Sequence, residues 1–381
     1  MRRKLFLGCW FATYLIAFGS VAPVVWAQAE DRATIMRAFD ATKTAETIDD
    51  FSKIISLCEE AQQGQQTKQT AAYAPKLISW ALNRRGELYA AEAADLISEG
   101  SADRAAKLDA MARDDFEVAV EMDPEAWKPL HNRGVSYGVR GESQAAIADF
   151  SRVVERHPEH ADAWFNRAEI QVDIGRIEEA ISDYTRAIEL RPADEVAYVK
   201  RASAHAQAGL LHEALRDCQL AIKLDDDSPD GYASRGQVYE KLGQWADAAG
   251  DFRKAVSKSR KSVQAYRSAA WLMATCPDPK FRQDALAVQA ADQALKLSSQ
   301  PHNWRTLDIV AAAYANAGRF GEAVGFSERA VSKAANSARG EVEQRLVLYQ
   351  AGQPYRQPRI VQAAAAVDEP GSGVVRDGKD Y

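Results

Sequence analysis

An all-α solenoid of stacked helix pairs is what this sequence predicts, and three observations predict it. A set of small and aromatic residues recurs every 34 residues between Leu130 and Arg260. One arginine and one aspartate recur with it, at fixed places in each period. Four successive copies run without insertion or deletion. A unit of this size cannot bury its apolar face alone, so its copies must stack, each packing only on its neighbours.

The columns are explicit. Leu130, Gly134, Tyr137, Gly141, Ala146, Phe150 and Pro158 return as Trp164, Ala168, Gln171, Gly175, Ala180, Tyr184 and Pro192. They return again as Tyr198, Ala202, His205, Gly209, Ala214, Cys218 and Asp226, then as Tyr232, Gly236, Tyr239, Gly243, Ala248, Phe252 and Arg260. Small residues at Gly134 and Ala146, or Ala168 and Ala180, let two antiparallel helices approach closely, while the aromatic columns fill the space between pairs. This pattern resembles the tetratricopeptide repeat (TPR), whose period is 34 and whose consensus runs Trp, Leu-Gly, Tyr, Ala, Phe, Pro. The resemblance covers roughly residues 76–337. It implies a right-handed superhelical solenoid of helix-turn-helix units with a terminal capping helix, and a surface that binds a protein or peptide.

Taken in order, residues 1–27 read as an export signal peptide. Arg2, Arg3 and Lys4 form a basic start, Leu5 to Val25 is uncharged, and Val25-Trp26-Ala27 fits a small-residue cleavage site. The apolar run is also about long enough to span a bilayer, so an uncleaved anchor is the second reading. Cleavage places the chain in the periplasm or outside the cell; retention makes it membrane-anchored.

Residues 31–70 form a degenerate N-terminal helical unit. Thr47, Ile48, Phe51 and Ile54 echo a second helix, and Gln62 to Thr70 reads as a polar loop. The solenoid itself spans 76–350. Its unit at 76–124 holds 14 extra residues, which lengthen both helices about Gly100. Regular repeats follow at 127–160, 161–194, 195–228 and 229–262. The unit at 263–301 is irregular, because Pro277 and Pro279 stop its first helix. A last unit at 304–337 and a capping helix at 340–350 close the stack. Residues 353–381 lack periodicity and read as a disordered tail.

Composition excludes several classes. At 46% apolar and 27% charged, the chain is ordinary for a soluble protein, and a net charge of -6 has the wrong sign for a nucleic-acid footprint. Cys9 leaves with the signal; Cys58, Cys218 and Cys276 are an odd number, so no disulfide framework is implied. Cys218 stands in a column otherwise aromatic and reads as packing. Cys276 falls in the proline-broken loop, open to exposure and reaction. No zinc helix, phosphate loop or nucleophile elbow occurs, so neither catalytic residue, metal nor cofactor is expected.

Two constellations go further. Arg85, Arg133, Arg167, Arg201 and Arg235 stand before the small first-helix residue; Asp115, Asp149, Asp183, Asp217 and Asp251 stand before the second-helix aromatic. Arginine facing aspartate on the paired helix predicts a structural ladder of bidentate ion pairs, one per repeat or one per junction. The second constellation is the set of first-helix positions that line the concave side in TPR arrays. Carried over, they give Asn83, Arg84, His131, Asn132, Phe165, Asn166, Glu169 and Lys200 as partner-binding residues. Asparagine amides there are placed to hydrogen-bond the backbone of an extended peptide. The expected protein is therefore a non-enzymatic interaction scaffold in the cell envelope, with an anchored adaptor or an enzyme accessory subunit as the alternatives.

Overall fold

The computed structural model describes residues 30–63, 68–298, 303–334 and 336–358; the predicted signal segment 1–27 and residues 359–381 of the predicted tail lie outside the described residues. Among the described residues there are seventeen α-helices, one short 3-10 turn and no strand. The chain divides into two compact units, 1–204 and 205–381.

The first unit contains α1 (Glu30–Ala41), α2 (Ile48–Gln63), α3 (Lys68–Ser98), α4 (Ala102–Met122), α5 (Trp127–Arg140), α6 (Ser143–Arg156), α7 (Ala161–Asp173) and α8 (Ile177–Leu190), with the start of α9 (Glu195–Gln207). The second continues with α10 (Leu211–Leu224), α11 (Pro229–Lys241), α12 (Trp245–Lys258), α13 (Val263–Thr275), the 3-10 turn Pro279–Phe281, α14 (Asp284–Leu297), α15 (Trp304–Asn316), α16 (Phe320–Lys333) and α17 (Asn336–Gln350). Within each unit a first helix packs on the second helix of its pair, and that second helix meets the next first helix. First helices also touch one another directly: α3 with α5, α5 with α7, α11 with α13, α13 with α15. They therefore form the crowded layer of each unit.

The recurrent glycine at the end of each first helix has a backbone reason. Gly141 adopts φ 79°, and the Glu142 amide then donates to the Tyr137 carbonyl at 2.9 Å, a left-handed C-cap that stops α5 and turns the chain into α6. The same bond joins Arg176 to Gln171, Gln244 to Tyr239 and Arg319 to Tyr314. Any residue bearing a Cβ resists that φ, so the 34-residue glycine column marks the hairpin turns.

The second glycine column is about distance. A Cβ on Gly236 would lie 2.4 Å from a Phe252 ring carbon, and one on Gly134 would lie 3.0 Å from Phe150. Phe150 and Phe252 are fully buried, so their rings press on the bare backbone of the partner helix. In the next repeat Ala168 stands in the glycine's place and Tyr184 replaces the phenylalanine, in the same buried cluster. The pair of columns sets the spacing of each hairpin.

Three expectations need correction. The stretch 62–70 is not a loop throughout: α2 runs to Gln63 and α3 starts at Lys68. Polar composition concealed helix there because glutamine and lysine are good helix formers. The start of the predicted tail is bound, since Arg356 and Gln357 hydrogen-bond to α13. Cys276 is fully buried and packs with Phe252 and Leu272, so the proline-broken segment folds inward; burial pushes its thiol pKa up. Cys58 and Cys218 are buried as well, their thiols pushed up to about 12 by burial.

Gly236→Ala should lose about 1–3 kcal/mol by driving a methyl into the Phe252 ring. Gly250→Ala in α12, where an added Cβ meets nothing within 4 Å, should instead gain about 0.5 kcal/mol. Urea unfolding of the two variants checks both signs.

A candidate binding face on the first helices

The arginine–aspartate ladder is present, and it closes within repeats. Arg133 Nε and Nη2 donate to Asp149 Oδ2 and Oδ1, both at 2.8 Å. Arg167 meets Asp183 at 2.7 and 2.8 Å, and Arg235 meets Asp251 at the same distances. Arg85 reaches Asp115 at 2.8 and 2.7 Å across the lengthened hairpin. At the remaining position Arg201 donates to the Thr185 hydroxyl at 3.1 Å, while Asp217 lies 3.0 Å from the His205 ring nitrogen Nδ1.

At three of the five ladder positions the arginine also ties its hairpin to the one before. Arg85 Nη1 donates to Ser52 at 2.9 Å and Arg167 Nη1 to Ser151 at 3.0 Å, as Arg201 does to Thr185. Tyr137, Trp164, Tyr198 and Tyr232 each offer a ring to the arginine of their repeat. One further pair escaped the sequence reading. Arg345 of the capping helix α17 donates to Asp308 of α15 at 3.0 and 2.8 Å, with both side chains buried. Its polarity is reversed, the acid on the first helix, so the arginine column could not reveal it.

The eight predicted partner-binding residues fare differently. Arg84 is exposed and pairs with Glu87. Asn83, Asn132, Phe165, Asn166 and Glu169 are buried, which corrects the expectation that they face a ligand. The direct contact between first helices is the reason, because these side chains lie between neighbouring first helices. Asn132 Nδ2 donates to Asn83 Oδ1 at 2.9 Å and to Glu87 Oε1 at 3.1 Å, and Asn83 donates to that same Glu87 oxygen at 2.8 Å. Lys200 Nζ meets Glu169 Oε2 at 2.6 Å, and the Tyr184 hydroxyl donates to the other Glu169 oxygen. Phe165 stands edge-on to Tyr184, ring centres 5.5 Å apart.

His131 lies 3.5 Å from Asn166 Nδ2 and is ringed by Phe150 and His160, at 5.6 and 5.0 Å between centres. Burial first and His160 second hold its pKa down to about 4. Its Nδ1 and Asn166 Oδ1 have no partner. His160 is the N-cap of α7, accepting from the Ala163 amide, in keeping with a turn residue.

In the second unit the same face is covered by the chain itself. Residues 353–358 follow α17 and lie along α13. Arg356 Nη1 donates to the Ala274 carbonyl at 2.9 Å, and the Gln357 amide donates to the Thr275 carbonyl at 2.9 Å. Gln357 Nε2 donates to Thr275 Oγ1 at 2.8 Å and to Glu240 Oε1 at 3.2 Å. Tyr355 stands 5.8 Å from Trp271 between ring centres. Burial pushes the Glu240 carboxyl up to about 8, against the smaller pulls of the Gln357 hydrogen bond and Lys241.

Paired helices in repeated register, four of the hairpins closed by an arginine–aspartate pair, define a helical-repeat protein of the interaction-scaffold class. The family model described as tetratricopeptide repeat matches residues 131–195, 171–229 and 199–263, and over that stretch the chain belongs to the TPR family. A tetratricopeptide repeat protein from Parabacteroides merdae is similar at 16% identity, covering 70% of this chain and 98% of that one, with a TM-score of 0.52. Cut9, from the Cut9–Hcn1 hetero-tetramer, is similar at 17% identity over 82% of this chain and 55% of that one, TM-score 0.51. A MamA structure shares 24% identity over 42% of this chain and 95% of its own, TM-score 0.39. No curated protein matches the chain. The likenesses to the Parabacteroides merdae protein and to Cut9 establish the fold.

Asp183→Ala should cost about 3 kcal/mol in chemical denaturation, because it strands the Arg167 guanidinium in a largely buried site. Glu240 sets a pH dependence. Its folded pKa lies above its unfolded value, so its stabilising contribution is intact below about 4.5, is lost as pH rises, and is gone above about 8. Glu240→Gln should therefore melt with the wild type at acid pH and above it at pH 9 (differential scanning calorimetry).

Proposed function

We propose that this chain is a non-enzymatic scaffold that holds an extended peptide, or an extended segment of a protein partner, along its first-helix face. One observation carries the reading. Residues 353–358 already lie there outside any helix: the Gln357 amide donates to the Thr275 carbonyl, and the Arg356 side chain donates to the Ala274 carbonyl. A face that holds its own chain by one main-chain hydrogen bond and the side-chain bonds of Arg356 and Gln357 has the chemistry to hold another. The TPR family is generally a non-catalytic scaffold fold, which agrees.

An enzymatic reading had one candidate nucleophile, Cys276. That thiol is buried and its pKa is pushed up, which is the opposite of an activated cysteine. Residues 1–27 support an adaptor working in the cell envelope, released by cleavage after Ala27, with a membrane-tethered form as the second reading. No helix among the described residues is long and apolar enough to cross a membrane. Mass spectrometry of the chain isolated from its own cells should find a mature start at Gln28; an intact Met1 would favour the tethered form.

A photo-reactive residue at Arg84 or Lys241, both exposed on first helices, should cross-link a polypeptide partner in cells. The same group at Arg216, exposed on the second helix α10, should not. Equal capture from both faces would remove the first-helix assignment.

A further inference from the structure

Arg345 is buried and the ladder arginines are partly so, and each has a carboxylate or hydroxyl partner. Arg267 of α13 is different. Among the described residues nothing hydrogen-bonds or ion-pairs with it, and its Nε is shut off from solvent without an acceptor. Arg267 keeps part of its surface in water, but a guanidinium that gives up much of its hydration and gains no opposite charge still carries a cost. Its pKa reflects that cost: burial first, then the neighbouring Arg305, bring it down to about 10, so it remains charged at neutral pH.

Arg267 lines a cavity of about 490 Å³ in the second unit, bounded by α11, α13, Ile309 of α15, and Gln357 and Pro358. The wall is organised. Gln237 and Gln264 both donate to Ser268 Oγ, at 3.0 and 3.2 Å, which fixes their amides on the cavity side of α13. Trp271 supplies a flat apolar wall, and its ring is held in place by Tyr355 and by Arg345, whose guanidinium lies 5.6 Å from the ring centre. The acid on the wall is Glu240, which burial keeps protonated at neutral pH, so it does not neutralise Arg267. The cavity thus combines the Arg267 fork, the exposed Lys241, amide groups and an aromatic plate.

We propose that this cavity is a binding site for a carboxylate-bearing ligand, its anion received by the Arg267 guanidinium and its apolar body laid against Trp271. The planar fork matches a carboxylate in a two-point contact. The volume is that of a small-molecule or single-side-chain pocket. The carboxylate belongs either to a free small acid or to an acidic side chain of a bound peptide; both present the same group.

The test uses the full chain and four probes in isothermal titration or ligand-observed NMR: 3-phenylpropionate, its neutral amide, and the blocked dipeptides acetyl-Glu-Phe-amide and acetyl-Gln-Phe-amide. Each acid should bind about tenfold or more tighter than its neutral partner. Preference for phenylpropionate assigns the site to a free acid; preference for the glutamyl dipeptide assigns it to a peptide side chain. Arg267→Gln should erase the acid-over-amide difference, and Arg267→Lys should retain part of it. Melting temperature is the second readout: Arg267→Gln should hold or raise it, because an unpaired buried charge is removed. The proposal is overturned if acid and amide bind alike, if no probe binds at millimolar concentration, if inorganic phosphate displaces the acids as well as they displace each other, or if Arg267→Gln lowers the melting temperature while leaving acid binding intact. Capture of a protein partner with the cavity indifferent to all four probes would leave the scaffold role standing and remove this site alone.

Discussion

The bidentate contact between an arginine on one helix and an aspartate on its hairpin partner is the constraint on which the rest depends. It fixes the rotation of the two helices about their axes, because a two-point contact tolerates little twist. With that rotation set, bare backbone at Gly134 and Gly236 faces the rings of Phe150 and Phe252, and the helices can close to van der Waals distance. The third guanidinium nitrogen, reaching Ser52, Ser151 or Thr185, carries the same register into the preceding hairpin. Arg85 and Arg167 thereby serve both the hairpin and its junction. Such partly buried pairs are weak as sources of net stability, since desolvation offsets attraction. Their role here is geometric.

Most of the fold was legible in the sequence because its determinants are periodic. Small, aromatic, arginine and aspartate columns repeat at 34, and each column corresponds to one contact seen in the structure. Legibility failed where a contact is not periodic. The Arg345–Asp308 pair joins a capping helix to a first helix with the charges exchanged, so no column contains it. The 353–358 segment has no helical pattern, which in a sequence reads as lack of structure; its order comes from carbonyls on α13 that composition cannot reveal.

The candidate site was less legible, for a physical reason. Position in a repeat says which layer a side chain joins, and it leaves open whether that layer is open to solvent. Asn83, Asn132, Asn166 and Glu169 occupy the first-helix layer as expected, but those helices touch one another and enclose the side chains in a hydrogen-bonded seam. Arg267 carries a signal the sequence does hold. It falls in the column of His131 and Phe165, where a lone arginine stands among neutral residues. Extending that column into the irregular unit would have found it. That Arg267 has no acid beside it is a fact of three dimensions only.

The strap formed by residues 353–358 has a further consequence. A segment joined to the end of α17 by a few residues faces α13 at an effective concentration in the millimolar range, whatever the dilution of the protein. A foreign chain seeking the Ala274 and Thr275 carbonyls competes against that tethered occupant, and weak or transient sequences lose. On the proposed function, the covalent leash would set a selectivity threshold, passed by a competitor whose additional contacts outweigh the advantage of being attached.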